Sequence, residues 1–296
     1  MSRAGCRTSD NRRLISVGLA ALTLLSAAGC QLFFPPFRRN PDLRLLRAER
    51  LPEGLSLSHP VVSPDGVQVY YFGSGQPTNI GYFVGTLWRT RFNDTGAVQV
   101  LPDTFGAMAI SPDGRLMVLG TYSDGPSRCL VTIDLSTSAV DTIPSAQGID
   151  AWDVEFSKTV GGRIYYSSRK TGLHRIDTDG SNEVLVDSTI RGYFDLMPSD
   201  SVVQAMFSKP KVDPGGRYVA SMVSSTDPEI ALIDLTTRDT TLLRANPYKS
   251  ADMEFPYWTP DGKSLVFAAA EWRGEPGGTF SAELWVLDDV FKKGKE

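Results

Sequence analysis

The tetrapeptide S-P-D-G occupies residues 63–66, just ahead of the alternating run VQVYYFG, and returns at 111–114 ahead of RLMVLG. A variant, T-P-D-G, stands at 259–262 ahead of KSLVFAAA. In such a turn proline fixes φ at the first corner and aspartate tolerates the second. Glycine then takes the left-handed conformation that sends the chain back into the next strand. One chain that writes the same turn three times, each time before a strand-like run, is repeating one structural unit.

Aligning the turn glycines gives Gly66, Gly114, Gly162, Gly216 and Gly262, which are 48, 48, 54 and 46 residues apart. Each follows a short run (HPVV, AMAI, DVEF, PKV, FPYW) and precedes an alternating one (VQVYYF, RLMVLG, RIYYSS, RYVASM, KSLVFA). A third run ends in aspartate or just past it: LWRTRFND, CLVTIDL, LHRIDT, IALIDL and ELWVLDD. A fourth follows in most units: AVQVLP, AVDTIP, NEVLVD and DTTLLR. Period-2 alternation marks strands, and four strands per unit at a spacing near 48 residues is the pattern of β-propeller blades.

The segments HPVVSPDGVQVYYF, FGAMAISPDGRLMVLG and FPYWTPDGKSLVFA resemble TolB-type, WD40-like propeller repeats, and the resemblance extends over roughly residues 43–290. Two units depart from the motif. VDPGGRYVAS has Gly215 in place of the aspartate, and SKTVGGRIYY lacks Pro-Asp. The reading is an all-β propeller of five four-stranded antiparallel blades. Six blades is the alternative, if a degenerate blade lies within 187–208. The last unit stops after its third strand, so LRLLRAERLP (43–52) is expected to supply the outer strand of the last blade and remove an open seam.

Residues 1–29 read as a signal peptide. MSRAGCRTSDNRR carries four arginines, and the apolar run Leu14–Gly29 is too short to span a bilayer comfortably. The segment closes LSAAGC, which resembles a bacterial lipobox, with cleavage between Gly29 and Cys30. That resemblance implies lipidation of Cys30, with a thioether-linked diacylglyceryl group and an N-acyl (palmitate-type) chain, and stable membrane anchoring. Gln31 resembles the outer-membrane sorting pattern, so the expected location is the periplasmic side of the outer membrane. Residues 30–42 form a lipidated, proline-interrupted tether, and 291–296 a polar tail. Removing residues 1–29 takes away four arginines and one aspartate, leaving 26 basic and 33 acidic residues and a formal charge of −7. Cys129 then remains as the one unmodified cysteine, in a strand pattern that suits a small packed residue.

The full chain has a formal charge of −4 and no basic run interleaved with aromatics, which argues against nucleic acid as a partner. No nucleophile elbow, zinc motif or cofactor fingerprint stands out, so neither catalytic residues, metal nor cofactor is assigned. His59 and His174 read as packing or surface residues. The third-strand aspartates Asp94, Asp134, Asp177, Asp234 and Asp288 recur once per unit and read as turn caps. Binding is the better prospect. The second-to-third-strand loops are long in the first unit (73–86) and the last (270–282), which become neighbours in a closed ring. Tyr82, Phe83, Trp272, Arg273 and Phe280 give them the aromatic and arginine content of interface anchors. The leading expectation is a lipid-anchored, non-enzymatic envelope scaffold for a protein partner, the role the TolB-type resemblance implies. The alternative is a glycan- or peptide-binding propeller, with inner-strand aromatics such as Trp152, Tyr257 and Trp258 stacking on sugars and weak hydrolase or lyase chemistry in a central pocket.

Overall fold

The computed structural model describes residues 42–47, 56–74, 85–92, 96–121, 129–143, 151–204, 209–222, 229–245, 247, 251–271 and 281–291. Their regular structure is β throughout. Strand β1 (Leu43–Arg47) is followed by a first unit of β2 (Ser56–Val62), β3 (Gln68–Ser74), β4 (Gly85–Arg91) and the opening half of β5 (Ala97–Ile110). The long β5 serves twice. Its first half pairs with β4, and its second half pairs with β6 (Leu116–Thr121) as the innermost strand of the next unit, which continues through β7 (Leu130–Asp134) and β8 (Val140–Thr142). A third sheet holds β9 (Ala151–Phe156), β10 (Arg163–Ser168), β11 (Gly172–Asp177) and β12 (Val184–Asp187).

A two-stranded sheet follows, β13 (Phe194–Leu196) with β14 (Val202–Gln204), inside the stretch where the glycine spacing widens. Next comes the sheet of β15 (Lys211–Val212), β16 (Tyr218–Met222), β17 (Ile230–Asp234) and β18 (Thr240–Leu243). The last comprises β19 (Ala251–Trp258), β20 (Leu265–Glu271) and β21 (Ser281–Leu287). Strand β1 completes this last sheet by pairing antiparallel with β21, Leu43 opposite Leu287 and Leu45 opposite Trp285.

Alternation decides the packing. Along β3, Val69 and Tyr71 share a core with Val266, Ala268, Leu284 and Val286 of the last sheet, while Tyr70 and Phe72 share one with Met108, Met117 and Leu119 of the second unit. The period-2 strand thus buries both faces, one against each neighbour. The second unit packs on the third sheet through Val118 and Leu130 against Phe156 and Tyr166, and the sheet of β15–β18 packs on the last through Leu232 against Phe267 and Trp285. Each such side chain, fully buried, is worth about 1.5–3 kcal/mol. Antiparallel sheets of mostly four strands, packed face to face in chain order, are the architecture of β-propellers.

The turns explain why the motif repeats. Gly66, Gly114, Gly162, Gly216 and Gly262 all have positive φ, between 68° and 73°. In the first, the Ser63 hydroxyl donates to Asp65 at 2.5 Å and accepts from the Gln68 N–H, while Asp65 also accepts from the Val67 N–H. Ser111–Asp113 and Thr259–Asp261 repeat the arrangement. Where Gly215 replaces the aspartate, Asp213 stands at the serine position, and its carboxylate accepts from the N–H groups of Gly215, Arg217 and Tyr218. The third unit borrows its carboxylate. Asp200 accepts from the hydroxyls of Ser157 (2.6 Å) and Thr159 and from the Lys158 N–H.

Asp200 has a second task. Met197-Pro198-Ser199-Asp200 closes with the Asp200 N–H donating to the Met197 carbonyl, as Gly66 does to Ser63, and Asp200 takes the glycine's conformation at φ 62°. Pro198 then sits on the next turn, where a Cβ at Gly216 would lie 2.6 Å from its Cδ. Pro64 stands likewise beside Gly114, Pro214 beside Gly262 and Pro260 beside Gly66. The β13–β14 hairpin therefore carries a turn of the repeated kind in the same succession as the full sheets.

Candidate functional site

The proposed rim residues Tyr82, Phe83, Trp272, Arg273 and Phe280 lie outside the described residues, as do Gly29, Cys30 and Asp94. What the described residues bring together is a buried ionic cluster on the innermost strands. Asp153 and Glu155 alternate along β9, Asp195 lies on β13, Lys211 opens β15 and Lys209 stands two residues ahead of it; none is more than 5% exposed.

The sequence dictates this convergence by period 2. Asp153 and Glu155 pair with Ser167 and Tyr165, which puts both acids on the face that β10 turns toward the hairpin through Tyr165. Lys209 donates to Asp153 at 2.5 Å and lies 3.5 Å from Glu155. Lys211 donates to Glu155 and lies 3.8 Å from Asp195. Lys158, about a third exposed, approaches Glu155 at 3.9 Å. The carboxylates also hold backbone. Asp153 accepts from the Phe194 N–H at 3.1 Å, and Asp195 accepts from the Val212 N–H at 2.7 Å. The third sheet, the hairpin and the sheet of β15–β18 are thereby stapled at their innermost strands.

Burial raises the carboxyls of Asp153 and Asp195 above the ordinary range, against the pull of Lys209 and Lys211 respectively. At Glu155 burial is outweighed by Lys211 and Lys209, and the carboxyl falls to about 2. Burial also opposes the Lys211 charge, but Asp195 and Glu155 prevail and hold the ammonium well above its usual value. His59 lies within the same field. Burial, then Lys209 and Lys211, push it well below 6.5, so its ring is neutral. It stacks on Phe255 at 3.8 Å, and its Nδ1 has no hydrogen-bond partner among the described residues. His59 and Phe255 occupy matching X-Pro positions, both at positive φ and both at irregularities of their strand pairing.

At the start of β9, Trp152 is covered by the Arg169 guanidinium at 3.5 Å and tilts against Tyr193 at 5.5 Å, and Tyr193 meets Phe255 edge-on. Trp258 instead packs in the core between the last two sheets and donates to the Lys211 carbonyl, while Tyr257 lies under the Lys211 ammonium. His174 stacks on Tyr166 and its Nε2 lies 2.8 Å from the Thr171 hydroxyl. Among the third-strand aspartates, Asp134 and Asp234 cap their turns through the following N–H groups, Asp177 binds Arg163 and Asn182, and Asp288 binds Arg44. Among the described residues no group of histidine, cysteine and carboxylate side chains is placed to hold a metal ion.

DVEF and PKV read as short inner-strand runs, and the charges within them are the residues that the repeat pattern leaves unassigned. The signal was present: D-x-E on one inner strand and K-x-K on another each place like charges on one face. Which strands would meet was not readable from spacing.

Neither a protein-family model nor a curated protein matches the chain. Solved structures similar to it include TolB from Acinetobacter baumannii (16% identity, TM-score 0.39, 80% of this chain and 55% of that one). Kuenenia stuttgartiensis hydrazine synthase is similar at 16% identity and TM-score 0.35, over 80% of this chain and 64% of that one. An oligogalacturonate lyase in complex with manganese is similar at 13% identity and TM-score 0.38, over 78% and 76%. The chain thus spans between half and two thirds of the length of the first two.

Proposed function

We propose that this chain is a lipid-anchored β-propeller on the periplasmic side of the outer membrane that acts as a non-enzymatic scaffold for another envelope protein. Its ring has six blades, the hairpin β13–β14 being the smallest. Supporting the ring are the core shared by the first and last sheets, the pairing of β1 with β21, and the contact of Pro260 with Gly66, which links the last turn to the first. Supporting the anchor is the sequence at 27–31.

One observation carries the scaffold reading: the inner-strand charges are paired with one another. A general acid or base works from a group left poised to exchange its proton with substrate. Here Glu155 and Lys211 each hold the other in its charged form, and the carboxylates of Asp153 and Asp195 also bind main chain across sheets. That arrangement fixes a frame. A second reading, a glycan- or peptide-binding propeller with weak hydrolase or lyase activity, is favoured by the half-buried pair Trp152 and Tyr193 beside Arg169.

The test places a photo-crosslinking side chain at Tyr82 or Trp272 in the full chain within the native envelope, with Val98 on an outer strand as the control position. A discrete adduct from the two rim positions and none from Val98 supports the scaffold. Absence of any rim adduct overturns it. Cys30→Ala abolishes incorporation of a palmitate analogue and releases the protein from the membrane. An unmodified amino terminus by mass spectrometry would refute the anchor.

A further inference from the structure

We propose that the outer edge of the third sheet, strand β12, is a docking site for an extended segment of a partner protein, apolar in its middle and basic at its ends. The proposal rests on the scaffold reading and assigns that scaffold a second surface.

Strand β12 pairs with β11 along one edge, and among the described residues nothing pairs with the other. A free edge offers unpaired N–H and C=O groups to any extended chain, and natural proteins usually blunt such edges with charge. The outer strand β8 (Val-Asp-Thr) follows that practice with a central aspartate, and β18 (Thr-Thr-Leu-Leu) opens with two threonines although its Leu242 is 54% exposed. Strand β12 does not: Val184, Leu185 and Val186 are consecutive and 44%, 50% and 45% exposed. Leu185 lies opposite His174 and Val184 opposite Arg175, so the apolar surface lies on both faces of the strand.

The charges at its ends select the occupant. Glu183 precedes the apolar triplet and Asp187 follows it. Asp187 is held ionised by hydrogen bonds from the Thr189 hydroxyl and N–H, which lower its pKa. Antiparallel self-pairing of two copies would set Glu183 of one against Asp187 of the other, and like charges directly opposite are destabilising. A strand with lysine or arginine at both ends meets attraction at both positions and gains apolar cover between them.

The experiment uses the full chain with a fluorescent peptide whose five-residue core, Lys-Val-Thr-Val-Lys, sets its lysines four positions apart as Glu183 and Asp187 are, and a second with glutamate at both ends of that core. Binding is read by anisotropy, and the site by amide hydrogen exchange. The lysine peptide is expected to bind, to protect the amides of 184–187, and to lose affinity about tenfold when both ends become glutamate, the scale set by opposite-strand charge pairs. Leu185→Asp, an exposed position, should abolish binding with the thermal midpoint unchanged. No binding, equal affinity for the two peptides, or protection away from β12 overturns the proposal. So does a dimer in sedimentation that Leu185→Asp dissolves. Because the crosslinks at Tyr82 and Trp272 are scored independently, β12 can fail while the scaffold reading stands, and the reverse.

Discussion

Replacing Lys211 by methionine tests whether the inner-strand cluster holds the frame together. Methionine keeps much of the apolar stem and removes the ammonium, leaving Glu155 and Asp195 buried without their principal cation. Removing one member of a buried pair costs about 3–5 kcal/mol, because the other charge stays behind. The fall of the Glu155 carboxyl from 4.5 to about 2 points to about 3 kcal/mol of stabilisation at neutral pH, by the usual conversion. For a domain of this size the loss lowers the thermal midpoint by roughly 6–20 °C.

The pH dependence separates this cause from lost packing. A depressed carboxyl contributes stability that is present above its unfolded value and lost as pH falls toward the folded one. In the wild type the contribution of Glu155 is therefore intact at pH 7 and fades between 4.5 and about 2. In Lys211→Met burial dominates, the carboxyls of Glu155 and Asp195 move up, and the native variant binds protons the unfolded chain does not. Its stability then rises as pH falls from those raised values toward 4.5. The gap between wild type and variant, measured by urea unfolding of the full chain, should be widest near pH 7 and narrow toward pH 4.5. Adding Glu155→Gln should restore at least 1 kcal/mol relative to the sum of the single changes, since the stranded charge is gone. A deficit under 1 kcal/mol, or one constant with pH, would refute the staple.

Two further outcomes follow from named contacts. Asp200→Gly keeps the left-handed backbone and removes the carboxylate that serves the turn of the third unit, so stability should fall by about 1–3 kcal/mol, with amide exchange accelerating at 157–160 before it does elsewhere. Leu43→Ala should cost about 2–5 kcal/mol because Leu43 is buried in the core of the last sheet, whereas Leu45→Ala, two residues along the same face of β1 but 37% exposed, should cost less; equal costs would contradict the placement of β1 on β21.

What the sequence made legible was local. Each glycine chosen by its place after Pro-Asp or before an alternating run has the left-handed φ that reading assigned to it. The third and fourth runs match β4, β7, β11, β17 and β21 and the outer strands, and β1 lies where the missing strand was expected. These features depend on a few neighbouring residues, or on a pattern repeated five times. The hairpin β13–β14 escaped the glycine alignment because an aspartate, which tolerates positive φ better than most residues, stands where the others have glycine.

The ionic cluster escaped for a different reason. A D-x-E pair on a strand shows that two acids share a face, and no spacing says which face meets which strand. Asp153 and Lys209 are 56 residues apart and become partners only because β13 lies between β9 and β15. The hairpin and the cluster explain each other. A two-stranded sheet with a small apolar contact, Phe194 and Leu196 on Tyr165 and Leu173, has little area with which to hold its place. Directional bonds from the Phe194 N–H to Asp153 and from the Val212 N–H to Asp195 supply what that area lacks, and Lys209 and Lys211 bind the same two acids from the other side. The charges therefore gather at the thinnest unit of the chain, where hydrophobic packing contributes least.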